Sequence, residues 1–251
     1  VAFGLLYRVL RYFAGVEEIG ALLAGRLLGV LLLSFASILL LSNIIAALSS
    51  FFLARDLVLL MSSPVDWLSL YGSRLFETAV HSSWMVVLLA VPILAAYGIA
   101  FDGGLLFVLA ALAGFIPFLV IPAALGSAIT LVLVNVFPAR RTRDILSVIG
   151  VLAAAGLVVL FRLIRPEQLA RPEGFRSLVE FISILRGSSS PFLPSDWLQR
   201  VLMGTLTGRG DLLPLYVLWS TAAGLVVLGA LLHWKLYAVG FTKAQEGAQR
   251  F

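Results

Sequence analysis

Cysteine is absent from the 251 residues, which excludes disulfides, thiolate metal sites, cysteine nucleophiles and iron–sulfur ligation and leaves the redox compartment open. Charge is scarce: 12% of the residues carry it, against about one quarter in a typical soluble domain. Lysine is nearly missing. Lys235 and Lys243 are the only two, and neither stands in the glycine-rich setting whose backbone amides cradle a phosphate, so no P-loop is found. His81 and His233 are far apart and form no HExxH or paired-ligand spacing, which predicts no metal site. His81 beside Ser82 and Ser83 does not make a nucleophile and its base, because neighbours on a helix diverge and no acid orients the imidazole. No catalytic residue is assigned. The net charge of +5 is not gathered into a run that could track a nucleic-acid backbone, and it suits anionic lipid instead.

What is present is apolar. Hydrophobic residues make up 61% of the chain, and several runs reach the roughly 20 residues that a bilayer core of about 30 Å demands. An all-α polytopic membrane protein follows, read as a single transmembrane domain over residues 1–251. Five spans are predicted: Leu27–Leu48, Ser82–Ala100, Leu105–Phe137, Ile145–Phe161 and Leu213–Leu232. The third would reach about 50 Å as one straight helix, so either Pro117 and Pro122 kink it or it tilts out of the membrane, two shorter helices being the alternative. Asp102, Gly103 and Gly104 supply a tight turn before it.

The charged segments lie between the spans. Gly174–Arg186 repeats apolar residues at helical spacing, and a second amphipathic helix with Trp197, Leu198, Val201, Leu202 and Leu206 is capped by Ser195; both read as interfacial. Val1–Gly15, with Arg8 and Arg11 on one face, is either a surface helix or a truncated span. The chain opens on Val1 without a signal peptide, and a longer parent chain is expected. Arg140, Arg141 and Arg143, and after the fifth span Lys235, Lys243 and Arg250, place their loops and residues 51–80 in the cytoplasm by the positive-inside rule. Residues 162–212 then form an external loop. The middles of the spans read as free of ionisable groups, which argues against a proton-driven pump. Asn43 and Asn135 are read as helix-to-helix hydrogen bonders, and Ala110 with Gly114, Gly150 with Ala154 and Ser220 with Gly224 as close-packing pairs.

The informative stretch is Phe51–Val80. Arg55 and Asp56 head a short run with Leu57, Leu59, Leu60 and Met61 that Pro64 stops, after which Asp66 can cap a helix leading into the second span. This is a helical elbow at the membrane surface, either an ordinary interfacial loop or a docking lever that passes movement from a cytosolic partner into the bilayer.

The Arg-Asp pair, the leucine-rich run, Ser62-Ser63-Pro64-Val65, the helix with Ser73, Arg74, Leu75 and Glu77, and Ser82 to Trp84 resemble the membrane (permease) subunits of ABC-2-type exporters in a bacterial exporter family. Pro138 to Arg141, Arg165 to Glu167, Pro172 to Phe175 and Ser189 to Pro194 continue the likeness in order. The resemblance implies that residues 51–80 are a coupling region whose Arg55, Asp56, Leu57, Leu59, Leu60, Met61, Pro64, Asp66 and Trp67 bind a cytosolic ABC ATPase subunit. It implies further that the family's first helix is missing, that a second permease half or copy completes the unit in a bacterial cytoplasmic membrane, and that ATP and Mg belong to the partner, with no enzymatic activity in this chain. The expected function is ATP-driven export of a lipophilic or amphipathic cargo. A non-transporting scaffold that binds partner proteins and a membrane-embedded enzyme are the alternatives.

Overall fold

The computed structural model describes residues 2–15, 20–53, 66–136, 151 and 192–249. Six α-helices and no strand occur among them: α1 (Ala2–Ala14), α2 (Gly20–Leu48), α3 (Trp67–Ala100), α4 (Gly104–Val136), α5 (Pro194–Leu206) and α6 (Leu213–Gln249), with α2 continuing as a π-helical turn over Ser49–Leu53. Among the described residues, four helices are long and apolar enough to cross a membrane: Gly20–Phe52, Trp67–Ala100, Gly104–Val136 and Leu213–Tyr237. Their outward faces are apolar too. Phe76, Trp84, Leu88, Leu105, Leu106 and Leu112 are each at least 60% exposed, an arrangement that water would penalise and hydrocarbon accepts. The protein is an all-α integral membrane protein.

Contacts divide the chain into two units. The first comprises Val1–Phe35, Leu88–Phe115 and Gly150–Leu218. Here the α3–α4 turn is tight because Asp102 and Gly104 take left-handed φ values of 51° and 57° and the Gly103 N–H donates to the Gly98 carbonyl at 2.8 Å. Asp tolerates that conformation better than most residues. The Tyr97 hydroxyl, fully buried, donates to the Ala24 carbonyl at 2.8 Å and so ties α3 to α2. α5 seats its apolar face on glycines. A Cβ at Gly114 would stand 2.6 Å from Leu198 Cδ1, and one at Gly25 would stand 3.0 Å from Gln199 Nε2. Leu198 and Leu202 are completely buried as a result.

The second unit comprises Ala36–Val87, Ile116–Ile149 and Trp219–Phe251. Its core joins Ile44, Leu48, Phe51 and Phe52 of α2 and its π turn to Leu70, Tyr71 and Leu75 of α3, Leu131 and Val134 of α4, and Tyr237 of α6. α2 and α4 approach backbone to backbone at Gly126, where a Cβ would stand 2.9 Å from Asn43 Cβ and 3.0 Å from the Ile44 nitrogen. Thr130 Oγ1 donates to the Ile44 carbonyl at 3.0 Å across the same seam.

Several expectations change. The second span does not begin near Ser82: one continuous α3 starts at Trp67, because nothing between the two breaks the helical run. The third, in keeping with its favoured reading, is a single helix that takes in both Pro117 and Pro122 rather than two shorter ones. Ser195 is not a cap. Leu193 holds that position, Pro194 opens the helix and Ser195 lies buried within it. The Asn43 amide donates to the Leu39 carbonyl of its own helix, whereas Asn135 does reach another helix, at the Leu236 carbonyl. Gly114 packs closely as expected; Gly224 meets nothing within 4 Å. The predicted span Ile145–Phe161, apart from Val151, the helix Gly174–Arg186 and the arginines 140, 141 and 143 lie outside the described residues.

Candidate functional site at the π-helical end of α2

Of the nine residues predicted to bind a partner, Asp66 and Trp67 fall within the described residues, and Arg55, Asp56, Leu57, Leu59, Leu60, Met61 and Pro64 fall outside them. Asp66 immediately precedes α3, and its carbonyl accepts from the Leu70 N–H at 3.0 Å. Trp67 stacks on Trp234 of α6, ring centroids 6.1 Å apart. Paired indoles of this kind suit a membrane–water boundary, where one edge is wet and the ring is apolar. The two sides of the predicted elbow are therefore fixed: α3 enters at Trp67, and α2 leaves through the π turn.

A π turn inserts one extra residue into the helical ladder and displaces a carbonyl from its usual partner. Tyr237 of α6 meets that need, its hydroxyl donating to the Phe51 carbonyl at 2.9 Å. Around this bond lies an aromatic cluster. His233, 2% exposed, stacks on Tyr237 at 4.1 Å and lies 5.4 Å from Tyr71 and 5.6 Å from Phe51, centroid to centroid. The Tyr71 hydroxyl reaches over Gly229, where a Cβ would collide with it.

Beside the cluster, Glu77 Oε2 accepts from Arg74 Nη1 at 2.8 Å and from Ser50 Oγ at 3.0 Å. This joins the π turn to the second and third turns of α3. Because α3 begins fifteen residues earlier than Ser82, Arg74 and Glu77 also lie on the spanning helix, near its start. The signal was visible in an acid three residues beyond an arginine within that helix; it was missed because the predicted span was cut short. His233 and Tyr237, four apart on α6, were a second overlooked signal, since that spacing stacks two rings on one helix face. A rigid, hydrogen-bonded end to α2 can transmit a displacement of the following segment to α3 and α6 rather than absorb it.

Comparison with known proteins matches residues 1–250 to a family model described as putative ATP-binding cassette; no curated protein and no solved structure matches. That description overturns the assignment to the permease subunit of an ABC-2-type exporter and its expected function, and it does not favour the scaffold or membrane-enzyme alternatives. It likewise overturns the exclusion of enzymatic activity from this chain and the confinement of ATP and Mg to a partner. Those exclusions rested on one missing phosphate loop, which is a test of one motif and not of the family. The described residues nonetheless do not fit a magnesium nucleotide. No group of three or more His, Asp or Glu able to hold a metal occurs among them, and the left-handed glycines Gly104 and Gly208 have no lysine beside them. With every residue but Phe251 covered by the match, the chain belongs to this ATP-binding cassette family.

Proposed function

We propose that the chain is a membrane-embedded component of an ATP-binding cassette transport assembly, carrying into its spans the movement that ATP turnover in that assembly produces. The observation that supports this reading most is the conjunction of a family match over residues 1–250 with four helices able to cross a membrane. Movement enters at the elbow, residues 54–65, between the π turn and Trp67. Arg55, Asp56, Leu57, Leu59, Leu60, Met61 and Pro64 dock a companion of the assembly together with Asp66 and with Trp67, the first residue of α3. The Ser50–Glu77–Arg74 network and the Tyr237–Phe51 bond then couple α2, α3 and α6 so that they shift together. The setting is the bacterial cytoplasmic membrane, with the elbow on its cytoplasmic side.

The test is isolation of the full-length protein from its native membrane in mild detergent, with every companion identified and ATP turnover measured for the particle and for the chain alone. Transporter companions and ATP turnover in the particle are expected. A particle with neither refutes the reading, and the chain-alone measurement decides which polypeptide consumes ATP.

A further inference from the structure

Besides the Tyr71 hydroxyl and His233 Nε2 of the aromatic cluster, four polar side chains among the described residues of the second unit are buried without being satisfied. Asn43, Thr78, Ser82 and Ser83 are 0%, 1%, 7% and 5% exposed, and Asn43 Oδ1, Thr78 Oγ1, Ser82 Oγ and Ser83 Oγ have no hydrogen-bond partner. A helical hydroxyl has an easy way out, which is to bond a carbonyl one turn back. Ser34, Ser73, Ser127, Thr205 and Thr207 all take it, at 2.8 to 3.0 Å. Thr78, Ser82 and Ser83 do not.

By helical rise, Asn43, Ser82 and Ser83 fall near one level of the bundle, and Thr78 lies about one turn from it. Ala24 pairs with Tyr97 and Ser50 with Glu77, so α2 and α3 run antiparallel. Stepping back seven residues from Ser50 to Asn43 moves about 10 Å along α2, and the same rise from Glu77 along α3 arrives beside Ser83. Ser82 is next to it, and Thr78 is one turn away on the same face as Ser82. α4 closes this level with Gly126 against Asn43 and with Thr130, whose hydroxyl is already committed to Ile44.

We propose that this level is an internal hydration site, in which ordered water bridges Asn43 Oδ1 and the hydroxyls of Thr78, Ser82 and Ser83. The complementarity is specific. The Asn43 amide nitrogen is occupied by Leu39, so its oxygen needs a donor, while each hydroxyl can both give and take a proton in a hydrogen bond. Water supplies two donors and two acceptors and ordinarily satisfies two to four buried partners. Left dry in a hydrocarbon setting, the same groups would carry the full cost of desolvation.

The test uses the full-length protein in lipid bicelles. Thr78→Val and Ser82→Ala should each lower the unfolding midpoint, by about 2 °C or more, because each removes a hydrogen bond to water. A rise in either midpoint overturns the proposal, since a dry unpaired hydroxyl is better replaced by an apolar group. A second readout exploits the absence of native cysteine. Ser82→Cys and Ser83→Cys should react with methyl methanethiosulfonate about tenfold faster than Ala47→Cys, a fully buried control in the apolar core, because the reactive thiolate forms only where water reaches it. Equal rates overturn the proposal.

Discussion

Arg74 and Glu77, one turn apart on α3, are joined at 2.8 Å, but the arginine side chain is 8% exposed and the glutamate 56%. The pair is therefore asymmetric. Removing the acid takes from a buried cation the carboxylate it meets at 2.8 Å, whereas removing the arginine leaves a carboxylate that can turn outward. Glu77→Ala should cost about 1–3 kcal/mol, below the full penalty for a wholly buried pair because one partner is wet. Arg74→Leu combined with Glu77→Ala should recover part of that loss. Unfolding of the four forms in one lipid mixture checks this, and strict additivity would show that the ion pair does no coupling.

Tyr237→Phe removes the hydroxyl that donates to the Phe51 carbonyl at the π turn. The ring stays, so packing on His233 is preserved and the loss isolates the hydrogen bond. A destabilisation of about 1–3 kcal/mol is expected, because a buried carbonyl loses a donor. An unchanged unfolding curve would mean that the π turn does not depend on that contact.

Gly126 and Gly224 provide a matched pair. Alanine at position 126 would press on the backbone of α2 at Asn43 and Ile44, while at 224 it would enter open space. Gly126→Ala should destabilise by about 1–3 kcal/mol through overpacking, and Gly224→Ala should fall within about 0.5 kcal/mol of the parent. Comparable effects at both sites would refute the close approach of α2 and α4.

Replacing Leu59 and Leu60 together by aspartate tests the elbow. The variant should insert into the membrane normally, because the four spans are untouched, yet lose the companions that copurify with the parent. Undiminished copurification would remove the docking role from this segment.

The spans were legible in sequence because hydrocarbon leaves the backbone one solution per apolar run, an internally bonded helix, so composition and length suffice. The start of the last span at Leu213 and the turn at Asp102–Gly104 were read correctly for that reason and from turn chemistry. The start of α3 was not, because Arg74 and Glu77 look like an end to a span when each is counted as a charge. Paired with each other and with Ser50, they are tolerable inside it.

The candidate site was less readable still. Asn43 and Asn135 look alike in sequence, but only the latter crosses to another helix, since Gly126 brings α4 close enough to Asn43 to leave its amide no choice but its own turn. Helix content and membrane residence followed from amino-acid composition, whose effect is summed along the chain and insensitive to neighbours. Which hydroxyl is satisfied, which arginine is hidden and where α2 changes to a π turn depend on side chains brought together from positions up to 186 residues apart, as Phe51 and Tyr237 are. Only packing in three dimensions selects such pairs.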